Sequence, residues 1–175
     1  QDYPNFEVSV VDDCSRDDTR AVLKELEQNY SNLKVLQIKE DSIYKHGKKL
    51  ALTIGIRSAQ YEHLVFTDAD CYPAGKNWLT EILKAFTEET QIVLGYGAYS
   101  NEKSFVNKMI RMDTFRIGLQ YLSLAMAGMP YMGVGRNLAY RKSFFLKQKG
   151  FSPFSHLPSG DDDLFVNKSA TRYNI

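Results

Sequence analysis

Residues His63 to Cys71 constrain this chain more than any other stretch. Leu64-Val65-Phe66 has the length and the aliphatic and aromatic content of a buried strand, and two carboxylates one residue apart, Asp68 and Asp70, follow it. In an open α/β sheet, ligands bind in the crevice outside the carboxyl ends of the strands, so acids delivered there meet a ligand more readily than acids on a helix face. Two such carboxylates repel each other unless a proton or cation intervenes, and a hard divalent ion shared with phosphate oxygens is the common solution. Asp-x-Asp alone recurs by chance, so its meaning depends on the rest of the chain.

Two other segments end in acids. Phe6 to Val11 reads as a strand running into Asp12-Asp13, and Gly160-Asp161-Asp162-Asp163-Leu164 opens a last helix. Two acids at a helix start complement its dipole, but a third exceeds what capping needs, so at least one is a candidate for chemistry. Between these ends, strand and helix patterns alternate. Ser15 and Asp18 are spaced as a capping box for a helix through Val22, Leu23 and Leu26 to about Tyr30, with Asp17 and Asp18 in its first turn. Leu33 to Ile38 is a short strand, followed by a polar loop. Gly47 then turns the chain into a helix that begins Lys48-Lys49 and runs to Ile56. Lysines oppose the dipole at a helix N-terminus, which suggests an anion nearby, although taken alone the simpler reading is that both point to water.

After Asp70 the chain turns at Cys71–Lys76 and forms a helix from Asn77 to Phe86, with Trp78 facing the core. Gln91 to Tyr99 reads as a strand bent at Gly95 and Gly97. A long helix begins near Ser104 and carries Phe105, Met109, Met112, Phe115 and Leu119 as packing residues. Tyr131 to Tyr140 is a Gly-rich loop entering a short strand. Its glycines, Gly135 among them, permit close backbone approach to a ligand, and Arg136 and Asn137 supply polar groups. A short basic helix around Lys142 to Lys149 precedes a break at Gly150-Phe151-Ser152-Pro153.

The 175 residues are one domain's worth, with no internal repeat. Lysine and arginine number 22 against 21 acids, a net charge of +1, so no global field recruits nucleic acid, and the dispersed basic residues argue against that partner. Cys14 and Cys71 are too few for a disulfide framework and fit a reduced, cytosolic setting as small packing residues, with a weak metal role open to either. No cleavable signal precedes the first strand. The uncharged run Ile117 to Gly135 is broken by glycines, Gln120, Ser123 and Pro130, which favours a buried helix followed by a loop over a membrane span. The alternation implies an α/β layered fold with a mainly parallel central sheet flanked by helices, its right-handed crossovers bringing the acidic ends to one edge.

With these residues in place, the chain resembles the family 2 glycosyltransferases, inverting nucleotide-sugar enzymes of the GT-A fold. FEVSVVDDCSRDDT (Phe6 to Thr19), KKLALTIGI (Lys48 to Ile56), TDADCYP (Thr67 to Pro73) and GDDDL (Gly160 to Leu164) follow in family-like order and spacing. The resemblance implies that Asp12 faces the nucleobase with Asp13 beside it, that Lys48 or Lys49 lies close to the nucleotide, and that Asp68 lies near the ribose. It implies Asp70 on a divalent cation, Mg²⁺ or Mn²⁺, that bridges the diphosphate, and Asp162 as catalytic base with Asp161 second. Gly135, Arg136, Asn137 and His156 fall on the acceptor side. The family usually begins with a further strand and helix and carries a Gln-x-x-Arg-Trp region after the last helix. Their absence reads as an internal piece of a longer enzyme, a single truncated catalytic domain over 1–175 that lacks the usual first strand. Its nucleotide part is at about residues 1–100 and its acceptor part at about 101–175.

The implied activity is transfer of a sugar from a UDP-sugar to a hydroxyl of a glycan or glycolipid acceptor in cell-surface polysaccharide synthesis. The implied place is the cytoplasmic face of a membrane, held there by segments outside this chain. Two alternatives compete. A nucleotidyltransferase would carry a Gly-rich, basic phosphate loop on the first strand, which this sequence lacks, and a non-catalytic nucleotide- or carbohydrate-binding module has no use for GDDDL.

Overall fold

A computed structural model describes residues 1–39, 47–157 and 159–175. The polar loop expected after Ile38 falls mostly at 40–46, outside the described residues. β1 (Val8–Asp13) and β2 (Leu33–Ile38) pair in parallel, Val8 against Leu33 through Asp13 against Ile38, with α1 (Thr19–Asn29) as the crossover. The expected capping box does not form. Cys14 takes a left-handed turn (φ 63°) that sends the Ser15 amide back to Asp12, and α1 starts only at Thr19, after Asp17 and Asp18. α2 (Lys48–Ser58) lies against β1 so closely that a side chain on Gly55 would stand 3.1 Å from Val11 Cγ2.

A second sheet holds β3 (His63–Phe66), β4 (Ile92–Leu94) and β5 (Leu138–Arg141) in the order β3-β5-β4. The α/β class is as expected, but among the described residues the parallel component is β1 and β2 alone, since β5 runs antiparallel to both neighbours. The reason lies in the route of the chain. After α3 (Trp78–Lys84), β4 and α4 (Phe105–Met126), the chain re-enters beside the end of β3, with Leu138 opposite Phe66 and Arg141 opposite His63. That reversal carries the 131–137 loop to the edge where Asp68 and Asp70 emerge.

β4 ends at Leu94 rather than near Tyr99 because the side chains of Asn137 and Arg136 occupy the space over Gly95 and Gly97. α4 is capped as expected, Ser104 Oγ accepting the Asn107 amide, but its apolar stripe faces outward. Asn107, Thr114, Gly118 and Tyr121 form the packed face, and Gly118 leaves room for the Tyr96 ring. Phe105 is consequently 76% exposed and Met112 67%, where the sequence suggested packing residues. Among the described residues no helix is long and apolar enough to cross a membrane.

The core gathers around the end of the chain. α5 (Lys142–Lys147) contributes Phe144 and Phe145, and α6 (Asp163–Ser169) contributes Phe165 and Val166, both fully buried. The Phe165 ring lies 4.9 Å from Tyr140, 5.3 Å from Phe145, 6.1 Å from Phe151 and 6.3 Å from Phe144, centroid to centroid. The turn between α5 and Phe151 needs glycine: Gly150 has φ +52°, and a Cβ there would stand 2.6 Å from the Phe145 ring. The helix that begins in acids is therefore rooted in the aromatic core.

Candidate functional site

At the end of β3, ligand atoms of Asp68, Asp70 and Cys71 all lie within 4.8 Å of one another. Asp68 is half-buried and Asp70 exposed. The Cys71 Sγ stands 3.6 Å from Asp70 Oδ1, and burial, then Asp70, pushes the thiol pKa up. Two carboxylates with a neighbouring thiol are a donor set that fits a divalent cation of the Mg²⁺ to Mn²⁺ type, the carboxylate oxygens supplying the hard ligands.

The first turn of α2 meets this edge. Lys48 Nζ is 3.2 Å from Asp161 Oδ2 and 3.6 Å from Asp68 Oδ1, so one ammonium joins the β3 acids to the acids of α6. Burial alone would lower the Lys48 pKa, but the Asp161, Asp68 and Asp162 carboxylates together hold it above the ordinary lysine value. The anion expected beside this helix start is thus, in the protein itself, a pair of carboxylates. Lys49, one of the two lysines that the resemblance sets close to the nucleotide, is engaged by the chain itself. Its Nζ donates to the carbonyls of Phe154 (3.0 Å), Leu157 (2.8 Å) and Ser159 (2.7 Å), and an ammonium has only three N–H bonds.

The three consecutive acids have three different partners. Asp161, 9% exposed, faces Lys48. Asp162 caps α6, its Oδ1 accepting the Asp163 amide at 2.9 Å, while its Oδ2 accepts the Gly135 amide at 2.7 Å. Asp163 Oδ1 accepts the Leu164 amide. A Cβ on Gly135 would stand 3.2 Å from Asp162 Oδ2, so the glycine allows the loop backbone to close on the carboxylate.

Arg136 and Asn137, expected to offer polar groups to an acceptor, are engaged by the chain itself. Arg136 Nε donates to Gly97 O at 2.9 Å, and its guanidinium lies 5.1 Å from the Tyr99 ring centre. Asn137 Nδ2 donates to Tyr96 O at 3.0 Å, and its Oδ1 accepts from Trp78 Nε1 at 3.1 Å. They fix the loop that presents Gly135. Gly95→Ala is accordingly expected to destabilise the protein by about 1–3 kcal/mol, the usual cost of overpacking, because its Cβ would fall 2.4 Å from the Asn137 amide nitrogen, which is pinned at both ends. Urea denaturation reads this directly. His156 is exposed.

Asp12 lies at the end of β1, 3% exposed. Hydrogen bonds from the Ser15 hydroxyl and amide hold its carboxyl below the usual range, the amide reaching Oδ1 at 2.9 Å. Its Oδ2 is buried with no hydrogen-bond partner, and Arg20 Nε lies 3.9 Å away. Asp13 closes the β1–β2 ladder opposite Ile38, half-buried.

The sequence profile of "Glycosyl transferase family 2" matches residues 1–147. The chain belongs to glycosyl transferase family 2. Among curated members, it is 33% identical over 70 residues to the "Putative teichuronic acid biosynthesis glycosyltransferase TuaG" of Bacillus subtilis (strain 168), covering 40% of this chain and 26% of that protein. It is 38% identical over 74 residues to the "Poly(ribitol-phosphate) beta-N-acetylglucosaminyltransferase TarS" of Staphylococcus aureus, covering 41% of this chain and 12% of that protein. The aligned segment thus spans about a quarter of the first relative and about an eighth of the second. Among solved structures, the mannosyltransferase PcManGT from Pyrobaculum calidifontis, in complex with GDP-Man and Mn²⁺, superposes with a TM-score of 0.65 at 22% identity, covering 84% of this chain and 39% of that one. That likeness shows the GT-A fold. For this family 2 member, the sequence motifs had named Asp68, Lys48, Asp161 and Asp162, which the fold brings together. Gly135 and Ser15 were singled out for other roles, an acceptor-side loop and a helix cap, and nothing in spacing pairs Gly135 with Asp162 or Ser15 with Asp12.

Proposed function

We propose that this family 2 domain transfers a sugar, with inversion, from a UDP-sugar to an acceptor hydroxyl of a glycan or glycolipid at the cytoplasmic face of a membrane. The observation that carries the reading is the bridge made by Lys48. It holds Asp68 on the donor edge and Asp161 on the acid loop within reach of one ammonium, so a nucleotide-sugar held at the first lies beside the base carried by the second.

Asp70, with Asp68 and Cys71 beside it, is the set that would hold a divalent cation, whose chemistry is to neutralise charge on the departing diphosphate. Among the described residues Asp12 Oδ2 has no hydrogen-bond partner and only the Arg20 guanidinium 3.9 Å away, and it is the acceptor we assign to the imide N–H of uracil. Asp162 is the base. Each carboxylate oxygen keeps a second lone pair beyond its backbone amide, and one of these takes the acceptor O–H proton as the acceptor oxygen bonds to the anomeric carbon. The bond from that carbon to the diphosphate oxygen breaks, its electron pair leaving with the diphosphate. A single displacement on the face opposite the leaving group inverts the centre. PcManGT, with its GDP-Man and Mn²⁺, supports a nucleotide-sugar donor and a divalent metal, and TarS, an N-acetylglucosaminyltransferase by name, supports sugar transfer; the choice of UDP rests on Asp12.

Thermal denaturation with Mn²⁺ plus UDP, GDP, CDP or ADP tests the reading. A ligand bound only by the native state stabilises it by about 2.7 kcal/mol at a hundred times its Kd. UDP with Mn²⁺ is expected to raise Tm by several degrees, and Asp70→Asn to abolish the Mn²⁺-dependent part. No shift with any nucleotide, or a shift indifferent to Asp70, overturns the donor-site assignment.

A further inference from the structure

Lys49 binds neither acid nor strand, yet its contacts are among the most converging in the molecule. Three backbone carbonyls from a segment 105 to 110 residues away meet on one ammonium, at 2.7–3.0 Å. The Phe154 ring, itself 7% exposed and part of the core, lies 5.3 Å from the same nitrogen. Phe154 O also accepts the Leu157 amide at 3.1 Å, and the ammonium adds a second bond there while gathering the Leu157 and Ser159 carbonyls between the 3-10 turn at Ser152–Phe154 and α6. A tetrahedral –NH₃⁺ offers three donors in three directions, which suits three convergent acceptors, and hydrogen bonds to a charged donor are roughly twice as strong as neutral ones.

What this clasp holds is the approach to the acids. Ser159 O, the closest of the three acceptors, belongs to the peptide that enters Gly160, whose φ of +87° turns the chain into Asp161 and Asp162. The neighbouring Lys48 grips the same loop by charge, through Asp161. Two successive residues in the first turn of α2 thus dock the acid loop, one through a carboxylate and one through the backbone.

We propose that Lys49 is a positioning residue: it fixes the loop that sets the place of Asp162 and takes no part in binding the nucleotide. The catalytic half of this statement rests on the function proposed above, whereas the structural half stands without it. Two amide protons report the position of Asp162 directly, those of Gly135 and Asp163, since both bond to its carboxylate. Amide exchange by NMR would be compared in the wild-type chain, Lys49→Met and Lys49→Arg, beside titration with UDP and Mn²⁺ and release of UDP from UDP-N-acetylglucosamine. Lys49→Met is expected to speed exchange at Gly135 and Asp163 by about tenfold or more through local opening, with the amides of the β3–β5 ladder unchanged. UDP affinity is expected to stay within about twofold, while turnover at saturating donor falls by about tenfold or more, a kcat effect without a binding effect. Arginine keeps the charge and donates N–H bonds, so Lys49→Arg should restore most of the protection.

Unchanged exchange at Gly135 and Asp163 in Lys49→Met overturns the proposal. So does a loss of UDP affinity beyond about fivefold, whatever the exchange, which would return Lys49 to the nucleotide. If the wild-type chain neither binds UDP nor releases it, the function reading fails, and the exchange result still decides whether Lys49 places the loop.

Discussion

Asp162→Asn is expected to slow sugar transfer by about two to four orders of magnitude, the usual contribution of a positioned general base, while leaving the Mn²⁺-dependent binding of UDP within about twofold. An asparagine keeps one oxygen for the Asp163 amide at the helix cap, so α6 retains its start, but its NH₂ cannot accept the Gly135 amide, and that loop contact is lost with the charge. What the asparagine lacks is the charge and basicity needed to accept a proton from the incoming hydroxyl. Steady-state transfer and a UDP titration on the same sample check this. If turnover survives the substitution, the base is elsewhere, and Asp161→Asn is the next variant to measure. That second change carries a different signature, because Asp161 is the partner of Lys48, so its loss should disturb the donor edge as well as the chemistry.

Phe165→Ala should cost about 3–5 kcal/mol of folding stability, the range for removing a buried aromatic side chain. The residue is fully buried and touches the rings of Tyr140, Phe144, Phe145 and Phe151, which come from β5, α5 and the segment after it. A domain's total stability is commonly about 5–15 kcal/mol, so a loss of this size removes a large fraction of the margin. Phe105→Ala is the natural contrast. That side chain is 76% exposed on α4, and surface changes of this kind usually stay within about 0.5 kcal/mol. Denaturation of both variants in urea should separate them by several kcal/mol. Equal effects would mean that the aromatic cluster does not carry the core.

Local patterns made some of this molecule legible. Leu33–Ile38 and the start of α2 at Lys48 fall where the sequence puts them, because strand content and a glycine before a helix act within a few residues. The acids at the end of β3 and the start of α6 were equally plain, since their kinds and spacing carry the chemistry. The direction of β5 was not, because a short apolar run reads the same in either sense. Nor was the outward face of α4. Helical spacing identifies a stripe but does not say whether Met109 and Met112 or Thr114 and Gly118 face inward, and the space needed by Tyr96 decided it. Lys49 shows the same limit at long range, for its three acceptors lie more than a hundred residues on, and adjacency to Lys48 suggested a shared role the fold divides.

The placement of β5 between β3 and β4 also bears on how the chain is born. A ribosome delivers β3 first, then β4, and only after all of α4 does it deliver the strand that both require. Until Leu138–Arg141 emerges, neither earlier strand has its partner in this sheet, and pairing that spans so much sequence is slow to form. The parallel pair of β1 and β2, joined by one short helix, is under no such delay. Nascent chains should therefore pass through a stage in which one sheet is already closed and the edges of two strands wait open. In that interval they are most exposed to aggregation and most in need of a chaperone.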